Sequence, residues 1–382
     1  MPDPSAQSYH ARLAEVVQLF LKLGLTAFGG PAAYIAIMHD EVVNRHKWVD
    51  EQRFLDLFGA ANLLPGPTAT ELAIYLGFQR IGWPGLVLGG VCFILPAMLI
   101  TMALGWVYVR FGTTVQAGWL FYGIKPVIIA IIVSAWWGLS RKALKNWVTG
   151  IIGLAVIVLY LFGANILALL LSAGLAAMVG MNWQEWKHKK VSGLFLPLAG
   201  LGLPVAVVQF TLPLLFLTFL KVGAVLYGSG YVLLAFLHTD FVTRLGWLTD
   251  RQLVDAIAIG QITPGPVFST ATFIGYLLGG VPGALLATLG IFLPSFVYVA
   301  ISNPLLPTIR NSSWAAAFLD GVNVASLGLM AGVTLQLGST TLVDPLTVVI
   351  TLFAFFLLLR FRINSTWLIA GGACIGVLHA VL

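Results

Sequence analysis

Charged side chains are scarce in this sequence. Only 9% of the 382 residues are charged, whereas 59% are hydrophobic. Such a chain has too little polar surface to cover its apolar content in water, which excludes an ordinary soluble domain. Lys and Arg outnumber Asp and Glu by 20 to 14, but they are scattered between apolar runs, which argues against a nucleic-acid partner. We therefore expect an all-α polytopic membrane protein embedded in the lipid bilayer.

Cysteine is also nearly absent. Cys92 and Cys374 both lie in apolar runs and show no metal or disulfide pattern, so we interpret them as packing residues. The first 13 residues lack a basic region followed by an apolar run and a small-residue cleavage site, so we expect no cleaved signal. We expect no cofactor.

One unit occurs twice in the chain. An offset of 199 residues pairs Phe20-Leu21-Lys22 with Phe219-Leu220-Lys221, Gly29 with Gly228, His39 with His238, Arg45 with Arg244 and Trp48 with Trp247. Further along, the offset becomes 198 and pairs Gly123 with Gly321. Chance does not give so many matches, and the long period is typical of a duplicated transporter half. The sequence therefore divides into residues 1–182, a basic loop with an apolar linker at 183–209, and residues 210–382.

The apolar runs predict the number of membrane crossings. Each half has four long runs and then two shorter runs near the lower limit for a helical span. The runs are 13–38, 54–79, 84–108, 118–139, 147–161 and 165–181 in the first half, and 210–237, 253–278, 282–301, 314–337, 346–359 and 367–382 in the second. The stretch 194–209 is also apolar, so we count about 13 crossings.

Charge in the short loops predicts how the two halves are oriented. Three basic residues follow the fourth run of the first half at 141–145, whereas the equivalent loop at 338–344 has none. The next loop is uncharged at 162–164 but carries two arginines at 360–362 in the second half. Because short basic loops stay in the cytoplasm, we predict inverted halves, a cytoplasmic N-terminus and a periplasmic C-terminus.

Pro-Gly-Pro motifs at 65–67 and 264–266 interrupt the second apolar run of each half. Proline removes a backbone donor and clashes with the preceding turn, so each motif should end one half-helix and begin another. In lipid such a break must face protein or a polar cavity, where a helix N-terminus attracts an anion. Neighbouring amides and hydroxyls either bind a tetrahedral oxyanion or only satisfy the broken backbone. The predicted substrate-binding residues here are Asn62, Pro65, Gly66, Pro67, Thr68, Gln261, Thr263, Pro264, Gly265 and Pro266.

A lysine lies inside the first apolar run of each half, seven residues before a glycine-containing break. A charge at mid-membrane costs about 2.5 to 3.5 kcal/mol on insertion scales, so it is kept there for a partner or a substrate. Snorkelling toward the headgroups is the alternative if each lysine lies near a helix end. The substrate-binding candidates of this region are Lys22, Gly29, Gly30, Lys221, Gly228 and Ser229.

The pattern His-x5-Arg-x2-Trp recurs in the loop after the first run of each half. We consider its histidines and arginines as a gate or entrance for the anion, with a solvated amphipathic helix anchored by Trp as the alternative. The gate candidates are His39, Arg45, His238 and Arg244. A metal site formed by the acids and histidines at 39–46 fails in the second half, where Thr239 and Leu245 replace two of its ligands. We expect no metal.

Three charged residues are candidates for coupling transport to an ion. Glu71 follows the first Pro-Gly-Pro, and Thr270 stands in its place in the second half. It is either a protonatable coupling group or the partner of a lysine, and the sequence leaves both open. Lys125 and Asp320 lie near equivalent glycines of the two halves, so in an inverted arrangement we expect them to form an internal ion pair.

Together these motifs resemble the chromate ion transporter family in its long, two-domain form. The resemblance rests on Phe-Leu-Lys-x-Gly at 20–24, Phe-Gly-Gly-Pro at 28–31, the His-to-Trp loop and the duplicated Pro-Gly-Pro. It covers nearly the whole chain, and the second half departs from it by carrying Gly-Ser-Gly at 228–230. The resemblance implies export of chromate, a dianion similar to sulfate, from the cytoplasm across the inner membrane, driven by the membrane potential or a proton gradient.

Two other functions are considered beside this one. A transporter or flippase for another anion, sulfate included, would use the same donors. A membrane-embedded enzyme would need a nucleophile, a metal or an acid–base set, and none recurs in both halves. We therefore expect a transporter rather than an enzyme, with the anion as its ligand and a homodimer left open.

Overall fold

The structure, a computed structural model, describes residues 8–26, 31–112, 114–181, 209–227, 230–302, 313–361 and 363–381. All regular elements in these ranges are helical. Several predicted features lie outside the described residues: the substrate roles of Gly29, Gly30, Gly228 and Ser229, the basic cluster at 187–190, and the linker span over 194–208.

Fifteen α-helices are present in the described residues. Those of the first half are α1 (Tyr9–Thr26), α2 (Pro31–His39), α3 (Glu51–Leu63), α4 (Thr68–Ile81), α5 (Trp83–Phe111), α6 (Val115–Ala143), α7 (Trp147–Leu161) and α8 (Ile166–Met181). Those of the second half are α9 (Leu212–Val225), α10 (Leu233–Leu237), α11 (Asp250–Ile262), α12 (Thr270–Ser302), α13 (Ser313–Thr341), α14 (Pro345–Phe361) and α15 (Ser365–Val381). A π-helical segment extends α2 at Asp40–Arg45 and α10 at His238–Arg244.

Side-chain caps fix where α3 and α11 begin. Asp50 accepts a hydrogen bond from the Arg53 N–H at 2.7 Å, which satisfies one of the free donors at the start of α3. At the start of α11, Thr249 and Gln252 form a capping box. The two caps stand at matched positions 50 and 249, so the half-helices that lead into the Pro-Gly-Pro motifs begin in the same way.

Both Pro-Gly-Pro motifs separate helices. α3 ends at Leu63 and α4 begins at Thr68, whereas α11 ends at Ile262 and the 3-10 turn Val267–Ser269 leads into α12. The predicted interruptions are confirmed, although each second proline lies at the N-cap of the following element rather than in its first turn.

A second bend follows each motif. Gly82 separates α4 from α5 with φ 70°, and its counterpart Gly280 bends α12 with φ 61°. Residues with a Cβ avoid this region of backbone conformation, so glycine permits the turn.

Within the described ranges, four helical segments are long and apolar enough to cross a membrane: 83–111, 115–141, 267–302 and 316–341. Five shorter apolar helices in the same ranges cover 147–161, 166–180, 212–225, 345–361 and 365–381. The described chain thus has the helical, apolar make-up of a polytopic membrane protein, and the count of about 13 crossings stays a prediction.

One long helix of each half packs against helices of the other half. α6 packs against α14 and α15 of the second half, and α13 packs against α7 and α8 of the first. Gly123 of α6 lies directly on the Gly372 backbone of α15, and its counterpart Gly321 of α13 lies on the Ala173 carbonyl of α8. α6 and α13 also contact each other. Both halves are therefore needed to enclose the space between α6 and α13.

Candidate functional site

A cavity of about 740 Å³ lies where the two Pro-Gly-Pro breaks approach each other, and we call it the central cavity. The predicted substrate-binding residues that line it are Asn62, Pro67, Thr68 and Pro266, and the coupling candidate Asp320 lines it as well. Its walls also include the ends of α6 and α13, which contribute the polar side chains of Lys145, Asp320, Asn323 and Ser326. A concave, mostly apolar space with a few polar groups is the usual form of a small-ligand site.

The N-terminus of α4 opens onto the central cavity. Pro67 is its N-cap and makes no side-chain capping bond, and Thr68 and Ala69 both line the cavity. The first N–H groups of a helix have no partner within the helix, and its N-terminus carries roughly half a positive elementary charge. Pro266 and Val267 bring the start of the matching turn to the same cavity. This pair of helix starts suits an anion.

Part of the predicted donor set is used by the local backbone. The Asn62 side-chain amide donates to the Phe58 carbonyl at 3.0 Å, and the Thr263 hydroxyl donates to the Ile259 carbonyl at 2.8 Å. Gln261 is half-buried near the end of α11. The backbone-satisfying alternative therefore applies to Asn62 and Thr263, whereas Thr68 faces the cavity.

The glycine of each break packs against the opposite half. Gly66, with φ 140°, lies against Ser295 of α12, and Gly265, with φ 95°, lies against Ala97 of α5. Ser295 and Ala97 are counterparts at the 198-residue offset, so the two contacts correspond. Pro65 is half-buried and Pro264 is buried, so the prolines position the backbone.

Two tyrosines that the sequence argument missed tie the breaks together. The Tyr34 hydroxyl donates to the Gly265 carbonyl at 2.7 Å, and the Tyr227 hydroxyl donates to the Asn62 carbonyl at 2.9 Å. Each bond links one half to the broken helix of the other. Because a broken helix has carbonyls without an intrahelical partner, these bonds stabilise the break.

The lysines of the first apolar runs bind acidic residues. Lys22 Nζ lies 3.0 Å from Glu41 Oε1, and Lys221 Nζ lies 2.6 Å from Asp240 Oδ1. Glu41 and Asp240 are themselves counterparts at the 199-residue offset, and both are almost fully buried. Neither lysine is among the residues lining the central cavity. Direct contact between these lysines and an anion stays a prediction.

The gate candidates take part in the same two clusters. Arg45 reaches Glu41 at 3.3 Å, and Arg244 reaches Asp240 at 3.1 Å. The two histidines also pair with acids at matched positions, His39 with Glu51 and His238 with Asp250. The arginine pairs lie within the π-helical segments, whereas the histidine pairs connect this region to the starts of α3 and α11. A role at an entrance stays a prediction.

The predicted ion pair between Lys125 and Asp320 is wrong. Lys125 Nζ lies 3.0 Å from Asp255 Oδ1, and Asp320 pairs instead with Lys145 at 2.8 Å. The reason is that α6 contacts both α13 and α11, so that Lys145, just after the end of α6, reaches Asp320 near the start of α13, while Lys125 faces Asp255 of α11. Lys145 and Asp320 lie at the central cavity, where they balance each other's charge.

A smaller cavity of about 290 Å³ repeats part of the central one. Four of the residues that line the smaller cavity match, at the 198-residue offset, four residues that line the central cavity. The matched pairs are Tyr122 and Asp320, Lys125 and Asn323, Thr341 and Ala143, and Val343 and Lys145. The two cavities therefore occupy corresponding places at the two ends of the α6–α13 pair.

A buried ion pair lies next to the smaller cavity. Asp255 is 2% exposed and binds both Lys125 and the Tyr108 hydroxyl, the latter at 2.8 Å. The matching positions of the other half hold Asp56 and Asn323, an acid and a neutral amide that cannot form an ion pair with each other. Closer to the surface, Asp344 accepts hydrogen bonds from the Thr347 backbone N–H and the Tyr122 hydroxyl, which lower the pKa of Asp344.

Comparison with known proteins decides the family. A model described as Chromate transporter matches residues 14–181 and again residues 213–377. The chain belongs to the chromate transporter family. It is 36% identical to the chromate transport protein of Cupriavidus metallidurans over 376 residues, 96% of this chain and 92% of the relative. It is 34% identical to the chromate transport protein of Pseudomonas aeruginosa over 361 residues, 88% of this chain and 84% of the relative.

A shorter relative matches part of the chain. An uncharacterised transporter of Bacillus subtilis is 31% identical over 135 residues, which are 35% of this chain but 76% of the relative. No solved structure matches the chain significantly. As a member of the chromate transporter family, the protein is a transporter rather than an enzyme.

Proposed function

We propose that this protein exports chromate from the cytoplasm across the inner membrane, driven by the membrane potential or a proton gradient. The observation that carries the proposal is the meeting of both Pro-Gly-Pro helix starts at one cavity. The names of the relatives, which are chromate transport proteins, support chromate as the anion.

The central cavity holds a dianion by partial charges. Its charged residues Lys145 and Asp320 are paired with each other, so the attraction comes from helix N-termini and neutral donors such as Thr68. Such a site is favourable enough for an anion to enter and weak enough for it to leave, which transport requires.

Inverted halves supply the alternating access. We propose the domain boundaries and orientation that the loop charges predict, with about 13 crossings and the C-terminus in the periplasm. The central cavity then faces the cytoplasm beside Lys145, and the smaller cavity faces the periplasm beside Val343. Breaking the Lys125–Asp255 pair while the central cavity closes would move the anion from one side to the other.

Inside-out vesicles test the function. Vesicles containing the protein should accumulate chromate well above protein-free vesicles, and collapsing the membrane potential and the proton gradient should abolish the difference. Excess sulfate distinguishes the alternative substrate, since a chromate transporter should lose only a minor part of its rate. Vesicles that accumulate no more chromate than the protein-free control contradict the proposal, and equal displacement by sulfate assigns a broader oxyanion transporter.

A further inference from the structure

Glu71 is a fully buried carboxyl group that pairs with no cation among the described residues. It lies in the first turn of α4 and has 0% of its surface exposed. Neither carboxylate oxygen has a hydrogen-bond partner of ordinary geometry in the part of the chain that the structure describes. The hydroxyl of Ser295 adjoins it, and within the described ranges the phenols of Tyr75, Tyr227 and Tyr298 interact with it electrostatically. Uncompensated burial of a carboxylate is costly, so this position calls for an explanation.

The second half shows that the break does not need a carboxyl. Thr270 stands at the position of Glu71 and donates its hydroxyl to the Val267 carbonyl at 2.8 Å. Ala97 stands at the position of Ser295. The two breaks therefore share their backbone arrangement, and only the first carries an acid with a hydroxyl beside it. This difference indicates a task for Glu71 other than building the break.

Opposing effects act on the charge of this group. Burial disfavours the carboxylate, whereas the α4 N-terminus and the Ser295 hydroxyl favour it. A dianion at Thr68, one turn earlier on the same helix, adds repulsion to the carboxylate and competes with it for the same positive helix end. Occupancy of the central cavity and ionisation of Glu71 thus oppose each other.

We propose that Glu71 is a proton-binding site linked to the anion at the N-terminus of α4. When the dianion enters the central cavity, a proton from solvent binds a Glu71 carboxylate oxygen, and the proton leaves when the anion does. No other bond is made or broken. This inference rests on the proposed function, since it requires an anion in the central cavity.

The proposed linkage between proton and anion binding determines whether the membrane potential or the proton gradient drives export. A dianion that carries one proton with it moves as a single negative charge, so an interior-negative membrane potential drives its export, whereas an alkaline interior opposes the proton it carries. By reciprocity, binding of the proton to Glu71 must strengthen anion binding by the same factor as the anion strengthens proton binding, so a lower pH favours anion binding. The protein is then a potential-driven exporter rather than a proton–anion exchanger.

Proton uptake on binding tests the inference. The purified full chain is titrated with chromate in a weakly buffered alkaline solution, where free chromate is deprotonated, with a pH-sensitive dye present. The wild type should take up a substantial fraction of one proton per bound chromate. Glu71→Gln, which keeps the shape, should bind chromate with no uptake, and Glu71→Thr, which copies the second half, should do the same. Glu15→Gln is the matched control. The Glu15 carboxylate pairs with Arg80 at 2.7 Å, and this variant should behave like the wild type.

A failure of this inference and a failure of the proposed function would give different results. Chromate binding by the wild type without proton uptake overturns the inference and leaves the proposed function standing, and so does unchanged uptake in Glu71→Gln. An absence of chromate binding by the wild type overturns the proposed function itself. The wild-type measurement needs no variant, so it decides even where a substitution prevents folding.

Discussion

Replacing Gly66 with alanine should reduce chromate transport at least about tenfold while the protein still reaches the membrane. Gly66 has φ 140°, where a residue with a Cβ is strained by about 1 to 3 kcal/mol. The added Cβ would also collide with the Glu71 carboxylate and lie 2.7 Å from the Ser295 hydroxyl. All three groups are buried, so the Glu71 and Ser295 side chains must move within a packed site, and this rearrangement adds to the backbone strain at the start of α4.

Gly59→Ala is the matched control for this substitution. Gly59 lies in α3, just before the same break, and a Cβ at this position meets no atom within 4 Å. Alanine has a higher helix propensity than glycine by about 1 kcal/mol, so transport should stay near the wild-type rate. Equal transport by the Gly66 and Gly59 variants, measured in vesicles at matched protein level, would mean that the first Pro-Gly-Pro does not form the site.

Replacing Lys125 with methionine should destabilise the protein strongly. Asp255 is 2% exposed, and removing one partner of a buried ion pair costs about 3 to 5 kcal/mol because the remaining charge is left uncompensated. We expect a fall of at least about 5 °C in the thermal unfolding midpoint of the purified protein. Transport should fall as well, because the proposed alternating access requires this pair to form and break.

Two further variants separate the effect of the buried pair on stability from its effect on transport. Lys125→Met combined with Asp255→Asn removes both charges, so most of the stability should return while transport stays low. Lys145→Met breaks the ion pair between Lys145 and Asp320. The two side chains are 55% and 21% exposed, and an exposed ion pair contributes only about 0 to 1 kcal/mol to stability. A midpoint for Lys125→Met as high as that for Lys145→Met would contradict the role of the buried pair.

Local sequence rules predicted the helices and their breaks, because apolar runs and Pro-Gly-Pro act within one turn of the chain. They failed for Lys125 and Asp320, since residues that lie near equivalent glycines of two repeats need not touch. The contact there depends on how α6 and α13 cross, which no periodicity encodes.

Other site residues differ in how far the sequence could have revealed them. Glu41 and Asp240 are both acidic at the 199-residue offset, so the repeat itself contains a signal for the lysine–acid pairs. Tyr34 and Tyr227 were beyond reach, because Leu233 and Phe28 stand at their matched positions and the repeat gives no indication of them.

The central claim is that the two cavities open to opposite sides of the membrane. Lys145 and Val343 stand at matched positions, line the central and the smaller cavity respectively, and are exposed. In a chain whose Cys92 and Cys374 are replaced by alanine, we would place a single cysteine at either position and treat sealed vesicles of known orientation with a membrane-impermeant thiol reagent. Our account predicts that Lys145→Cys reacts only from the cytoplasmic side and Val343→Cys only from the periplasmic side. Reaction of both from the same side would contradict the inverted arrangement and alternating access through these two cavities.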